Sequence, residues 1–137
     1  MSDNITKIEV TIWTAAGTNT GTNDNVFFGL GGREFRLKTE NPNFAAGEKD
    51  VFILGNNHNV EKSDWNDPGK PQLTTNNLYN FPVYIRKAGT LQGDDDDAWK
   101  VERVDVDVND SAYSYKCLKG SEDIWLSNET GLILFLR

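Results

Sequence analysis

Cysteine and histidine are nearly absent from this chain of 137 residues, which contains one of each, Cys117 and His58. A single cysteine excludes an internal disulfide, and the two residues are too few for a zinc site of the usual Cys/His type. No nucleophile motif stands near His58, so we interpret it as a solvated loop residue. We therefore predict a protein that is not an enzyme and has no small-molecule substrate. A hydrolase acting through His58 is the catalytic alternative.

Positive charge is scarce as well. The chain has 14 Lys and Arg residues against 21 Asp and Glu residues, a net charge of −7 and a pI near 4.6. Nucleic-acid-binding domains depend on basic patches, so this balance argues against a nucleic-acid partner. It also disfavours unaided docking on an anionic lipid surface, although a bound divalent cation would reverse the local sign of charge.

Long apolar runs are missing too. No stretch approaches the roughly 20 residues that a transmembrane helix requires. Residues 1–10 lack the basic region followed by an apolar run that marks a secretion signal. We expect a soluble protein that is either cytoplasmic or exported by a route that uses no such signal.

Apolar residues recur at every second position along most of the chain, which is the period of half-buried β-strands. No window has a helical period, and Gly, Asn, Asp and Pro interrupt the chain at short intervals. We predict a single all-β domain over 1–137, an antiparallel eight-stranded β-sandwich with a long loop at about 56–80. Its strands are expected near 8–12, 26–30, 35–37, 51–54, 81–85, 99–108, 113–117 and 132–136.

One of these segments changes phase. Trp99 and Val101 share one parity, whereas Val104, Val106 and Val108 share the other. A phase change inside a strand indicates an extra residue, so we predict a β-bulge near 102–103.

Three polar segments carry a surplus of oxygen atoms, at 17–25, 41–43 and 93–97. Calcium takes about six to eight oxygen ligands in flexible geometry, and loops that meet at one end of a sandwich can supply them. Turns use the same residue types through local hydrogen bonds, so plain solvated loops are the alternative. Calcium is therefore a candidate cofactor, and its predicted ligands are Asn19, Gly21, Thr22, Asn23, Asp24, Asn41, Asn43, Asp94, Asp95, Asp96 and Asp97.

The tryptophans divide into two groups. Trp99 and Trp125 lie in apolar, strand-like settings and are predicted to be core. Trp65 is a large apolar side chain in a polar loop, which suits a membrane or protein interface; the alternative is that it folds back onto the sandwich. Trp13 has the opposite parity to its apolar neighbours, so it is expected to face outward or toward the loop end. We predict Trp65, Trp13 and Phe44 as membrane or partner contacts.

Several pieces, in order along the chain, resemble the PLAT domain, the β-sandwich of lipoxygenases, polycystins and the C-terminal part of clostridial α-toxin. Residues 8–14 resemble its first strand, and 21–30 resemble its Gly-Thr-Asp-x-x-Val segment. Residues 41–52 resemble the loop that ends in Phe-x-x-Gly-x-x-Asp-x-Phe/Tyr. Residues 97–106 resemble its bulged tryptophan strand, and 113–126 its closing pattern.

The resemblance implies a non-catalytic binding module that docks on membranes or partner proteins, often with calcium in loops at one end. The three polar segments would be the calcium loops. Asn19 and Asn23 stand where the family commonly has acidic residues, which should weaken calcium binding. The leading hypothesis is calcium-assisted docking on a membrane lipid surface or another protein. The alternative is a metal-independent protein-interaction subunit, for example a toxin or accessory component.

Overall fold

The computed structural model describes residues 2–89, 97–117 and 124–137. These residues form nine β-strands and one four-residue helix, α1, at Asn77–Asn80. The strands are β1 (Lys7–Thr14), β2 (Asn25–Leu30), β3 (Arg33–Arg36), β4 (Lys49–Gly55), β5 (Tyr84–Ala88), β6 (Trp99–Val108), β7 (Tyr113–Cys117), β8 (Ile124–Leu126) and β9 (Ile133–Phe135).

The strands form two antiparallel sheets. The first sheet has the order β4-β1-β6-β7, with β8 also paired to β6, and the second has the order β3-β2-β5-β9. Apolar side chains from both sheets, including Ile8, Phe28, Phe35 and Phe52, form one buried cluster between them. The predicted antiparallel β-sandwich is confirmed, with nine strands among the described residues instead of eight.

The additional strand, β8, pairs with one part of the long strand β6. Trp13 pairs with Arg103, but Thr14 pairs with Val101, so Glu102 is the extra residue and the predicted bulge is confirmed. The bulge divides β6 in two. Its first part pairs with β8 and its second part pairs with β7. With only three residues, β8 is too short to show a period of its own.

Burial mostly follows the predicted alternation. Trp99 is fully buried, as predicted, and its indole Nε1 donates to Thr14 Oγ1 at 2.9 Å. Two other aromatic residues differ from the prediction. Trp125, predicted to be core, is 38% exposed, because the alternation of β8 turns Leu126 inward instead. Phe81, expected to begin a strand, precedes β5 and is exposed.

The long loop between β4 and β5 is fixed by many hydrogen bonds. The Arg33 guanidinium donates to the carbonyl oxygens of Asp67, Lys70 and Pro71 at 2.9 to 3.0 Å. The amide oxygen of the buried Asn66 accepts a hydrogen bond from the backbone N–H of Arg36 at 2.7 Å. These contacts attach the loop to β3, at the edge of the second sheet.

Replacing Thr14 by Val should lower the free energy of unfolding by about 1–3 kcal/mol. The substitution preserves shape but leaves the buried indole N–H of Trp99 without its acceptor. Urea denaturation measures the loss. Thr11→Val, on the outer face of the same strand, is the matched control and should change stability by less than about 0.5 kcal/mol. Equal effects of the two substitutions would contradict this role for Thr14.

Candidate functional site

Three loops meet at one end of the sandwich around a cleft of about 440 Å³, which we call the rim cleft. Its walls come from 19–23 after β1, from 42–45 between β3 and β4, and from 97–98 before β6. The cleft therefore gathers residues from all three polar segments. The predicted ligands that line it are Asn19, Gly21, Thr22, Asn23, Asn43 and Asp97.

Asp97 fastens the first loop to the third. Its carboxylate Oδ2 accepts the backbone N–H of Asn23 at 2.6 Å, and its carbonyl accepts the hydroxyl of Thr22 at 2.7 Å. The Thr22 hydroxyl oxygen in turn accepts the backbone N–H of Asp24 at 3.1 Å. One oxygen of the Asp97 side chain is therefore already used in holding the loops together.

Asp24 lies beneath the cleft in a buried ion pair. Its Oδ2 is 2.7 Å from Lys87 Nζ, and the two side chains are 2% and 1% exposed. The same oxygen accepts the backbone N–H of Asp97 at 3.3 Å. The Asp24 carboxylate is therefore paired with an internal ammonium group, and its role as a metal ligand stays a prediction.

The second loop is braced by Asp50. The Asn43 side-chain oxygen accepts the backbone N–H of Thr39 at 3.0 Å, and its amide nitrogen donates to Asp50 at 3.2 Å. The other oxygen of Asp50 accepts the backbone N–H of Phe44 at 2.8 Å. The Asn43 side-chain oxygen is thus turned toward its own loop. Asn41, by contrast, is exposed and lines a smaller adjoining cleft of about 200 Å³.

Phe44 belongs to the core. Its side chain is 4% exposed, and its ring lies 5.4 Å from that of Phe52 and 4.9 Å from that of Trp99. A left-handed backbone, with φ of 63°, turns the ring inward. Phe44 therefore offers almost no surface to a membrane or partner, and a contact through it stays a prediction.

Gly21 allows the first and second loops to approach closely. Its backbone passes the Phe44 carbonyl so tightly that a Cβ atom would lie 2.6 Å from that oxygen. The neighbouring N–H of Thr22 donates to the same carbonyl at 3.0 Å. The glycine is thus required by packing between the two loops.

The two remaining contact candidates differ in exposure. Trp65 is 80% exposed and does not fold back onto the sandwich. Trp13 is half-buried on the outer face of the first sheet, with the Arg103 guanidinium 4.6 Å and the Lys49 ammonium 5.9 Å from its ring centroid. Trp65 is much more exposed than Trp13, so it is the better candidate for a surface contact.

Asp94, Asp95 and Asp96 lie outside the described residues, and their role as ligands stays a prediction. Within 2–89, 97–117 and 124–137, no group of three or more His, Cys, Asp or Glu side chains is placed to hold a metal ion. Calcium affinity depends on the number of charged ligands. Asp97 is the one carboxylate that lines the described part of the rim cleft. These residues alone therefore do not fit a calcium site.

His58 is exposed and lines a separate cleft of about 590 Å³ beside Asp50 and Glu61. None of the described residues that line this cleft is a serine or a cysteine, so it offers neither of the usual nucleophiles next to the imidazole. The geometry therefore gives no support to a hydrolase that acts through His58.

Sequence reasoning missed Lys87. The parity of β5 was the available signal, because Lys87 shares a face with Val83 and Ile85, both of which are buried. It also missed a group of exposed apolar side chains outside the rim, namely Tyr79, Phe81, Ile133 and Phe135. No helix among the described residues is long and apolar enough to cross a membrane.

Comparison with solved structures shows where this fold occurs. α-Toxin from Clostridium absonum matches with a TM-score of 0.67 and 21% identity, over 98% of this chain and 32% of the toxin. α-Toxin from an avian strain of Clostridium perfringens matches with a TM-score of 0.63 and 19% identity, over the same shares. A lipoxygenase in complex with arachidonate matches with a TM-score of 0.54 and 18% identity, over 98% of this chain and 16% of the lipoxygenase.

The chain thus spans about a third of the length of the toxins and about a sixth of the lipoxygenase. No protein-family model matches the chain, and no curated protein sequence matches it. At these identities the similarity shows the fold alone, which is that of PLAT-like domains.

Replacing Asp97 by Ala should lower the free energy of unfolding by about 1–2 kcal/mol, because the N–H of Asn23 loses a charged acceptor. Chemical denaturation measures the change. Asp110→Ala, which removes an exposed ion pair with Lys7, is the control and should cost less than about 0.5 kcal/mol. An Asp97→Ala protein as stable as the control would contradict the fastening role.

Proposed function

We propose that this chain is a non-catalytic docking module of the PLAT type that binds a lipid surface through Trp65. The observation that carries the proposal is the 80% exposure of a tryptophan side chain on a loop that is otherwise well fixed. Leaving so large an apolar group in water is unfavourable, and transfer to a membrane interface relieves that cost.

The turn that presents Trp65 is anchored on both sides. The backbone N–H of Trp65 donates to the carbonyl of Lys62 at 3.0 Å. The next residue, Asn66, is buried and donates from its side chain to the carbonyls of Glu61 and Lys62. Because the backbone is already ordered, little conformational entropy is lost when the indole inserts.

Charge around Trp65 indicates which lipid surface is favoured. Lys62 Nζ lies 5.8 Å from the centroid of the indole ring. Nearby, Lys70 Nζ pairs with Asp64 Oδ1 at 3.1 Å, so these two charges offset each other. This loop therefore has little net charge, whereas the chain as a whole carries −7. Anionic lipid would repel the protein, so we expect a zwitterionic surface such as phosphatidylcholine.

The shared fold and the sequence resemblance support the proposal. The matching fold is a minor part of the toxin and lipoxygenase chains, and the PLAT resemblance implies docking. The catalytic activities of lipoxygenases and toxins are not carried over, because the chain matches a minor part of each. Calcium is not part of the docking mechanism proposed here, since the described rim residues do not fit that ion.

A protein partner is the second candidate, favoured by a different surface. Ile133 and Phe135 are exposed on β9, at the edge of the second sheet, and Phe135 makes an edge contact with Tyr84 at 6.0 Å. Exposed apolar side chains on an edge strand suit pairing with another chain. This reading needs no metal and no contact through Trp65.

Replacing Trp65 by Ala should weaken binding to phosphatidylcholine vesicles about tenfold, because insertion of the indole contributes roughly 1.4 kcal/mol or more. Cosedimentation with vesicles measures the partition. A blue shift of tryptophan fluorescence on vesicle addition, lost in the variant, identifies the inserted residue.

Trp125→Ala is the matched control, since Trp125 is a second, partly exposed tryptophan whose ring lies 5.8 Å from Lys100 Nζ. The control should bind vesicles as wild type does. Lipid docking through Trp65 is refuted if wild-type protein does not bind the vesicles, or if both variants bind equally well. Phe135→Ala, on the surface proposed for a protein partner, should leave vesicle binding unchanged.

A further inference from the structure

We propose that the ammonium group of Lys87 serves as the built-in cation of the rim, so that the three loops assemble without a bound divalent metal. This inference does not depend on lipid docking. It concerns what holds the loops in place, and it assigns to Lys87 the role that the sequence analysis expected of calcium.

The position of the ammonium supports the proposal. Lys87 reaches from β5 into the interior, where its Nζ lies 2.7 Å from Asp24 Oδ2 and both side chains are almost fully buried. Val26 of β2 is directly opposite Lys87 in the sheet, so Asp24 stands just beyond the paired strands. The ammonium is therefore placed where the first loop leaves the second sheet.

Hydrogen bonds connect the Lys87–Asp24 ion pair to the first and third loops. Asp24 Oδ2 accepts the N–H of Asp97, and Asp97 Oδ2 accepts the N–H of Asn23. The first and third loops are thus joined through two carboxylates, of which the deeper is neutralised by Lys87. The second loop joins this assembly through the backbone hydrogen bond from Thr22 to Phe44.

A divalent cation and this ammonium group exclude each other near Asp24. A calcium ion at the Asp24 carboxylate would be repelled by the positive charge of Lys87. Removing one partner of a buried ion pair leaves an uncompensated charge and is strongly destabilising. The positive charge of the rim is therefore supplied by a side chain of β5.

Thermal unfolding of the wild-type protein in millimolar calcium chloride and in excess EGTA is the first arm of the test. The melting temperature should agree within about 1 °C between the two buffers, because a ligand that binds the folded state would raise it. A calcium-dependent rise that Asp97→Asn abolishes would overturn the proposal.

Lys87→Met is the second arm, and it should lower the melting temperature by about 10 °C in both buffers. Hydrogen exchange gives a local measurement. In wild type, the amides of Asn23 and Asp97 should stay protected in EGTA, and in Lys87→Met both should exchange much faster than those of the distant β4. A variant that melts like wild type, or that keeps both amides protected, would overturn the proposal.

Asp24→Asn/Lys87→Met is the third arm, and it keeps the test decisive if the single variant does not fold. This double variant removes the charge that Lys87→Met leaves on Asp24 and should be more stable than Lys87→Met. If it is no more stable than Lys87→Met, or if it also fails to fold, the charge pairing is not what holds the rim and the proposal fails.

Discussion

The buried ion pair between Asp24 and Lys87 is the constraint on which the rim depends. Removing two charges from water costs several kcal/mol per ion, so such a pair persists only when its partners satisfy each other closely. Here the carboxylate oxygen also receives the Asp97 N–H, which brings the third loop against the first. The described parts of the first and third polar loops are thus joined by side chains of the protein itself.

Different parts of the protein organise the rim and present Trp65. The rim is organised by an internal charge pair, whereas the exposed indole of Trp65 stands on the long loop that Arg33 and Asn66 attach to β3. An acidic chain gains little from electrostatic attraction to anionic lipid. Apolar insertion at a neutral surface fits the charge of the chain better than a calcium bridge does.

The fold could be read from the sequence because period-two patterns are local. Alternation in β1, β2 and β5 and the phase change in β6 indicated the strands and the bulge, but β8 and α1 are too short to show a period. The rim could be predicted only in part. The inward turn of Phe44 depends on a left-handed backbone, and the pairing of Asp24 with Lys87 joins residues 63 positions apart. Polar composition identified the three loops, but it did not identify the charge that pairs with Asp24.

The most direct measurement is ¹⁵N-detected NMR of lysine side chains during a calcium titration. A buried, hydrogen-bonded ammonium exchanges its protons slowly enough to be observed, so Lys87 should give a distinct Nζ signal coupled to Asp24. The account predicts that this signal keeps its position and intensity as calcium is added. Its displacement by calcium, with saturation at a defined ratio of ion to protein, would contradict the claim that Lys87 is the cation of the rim.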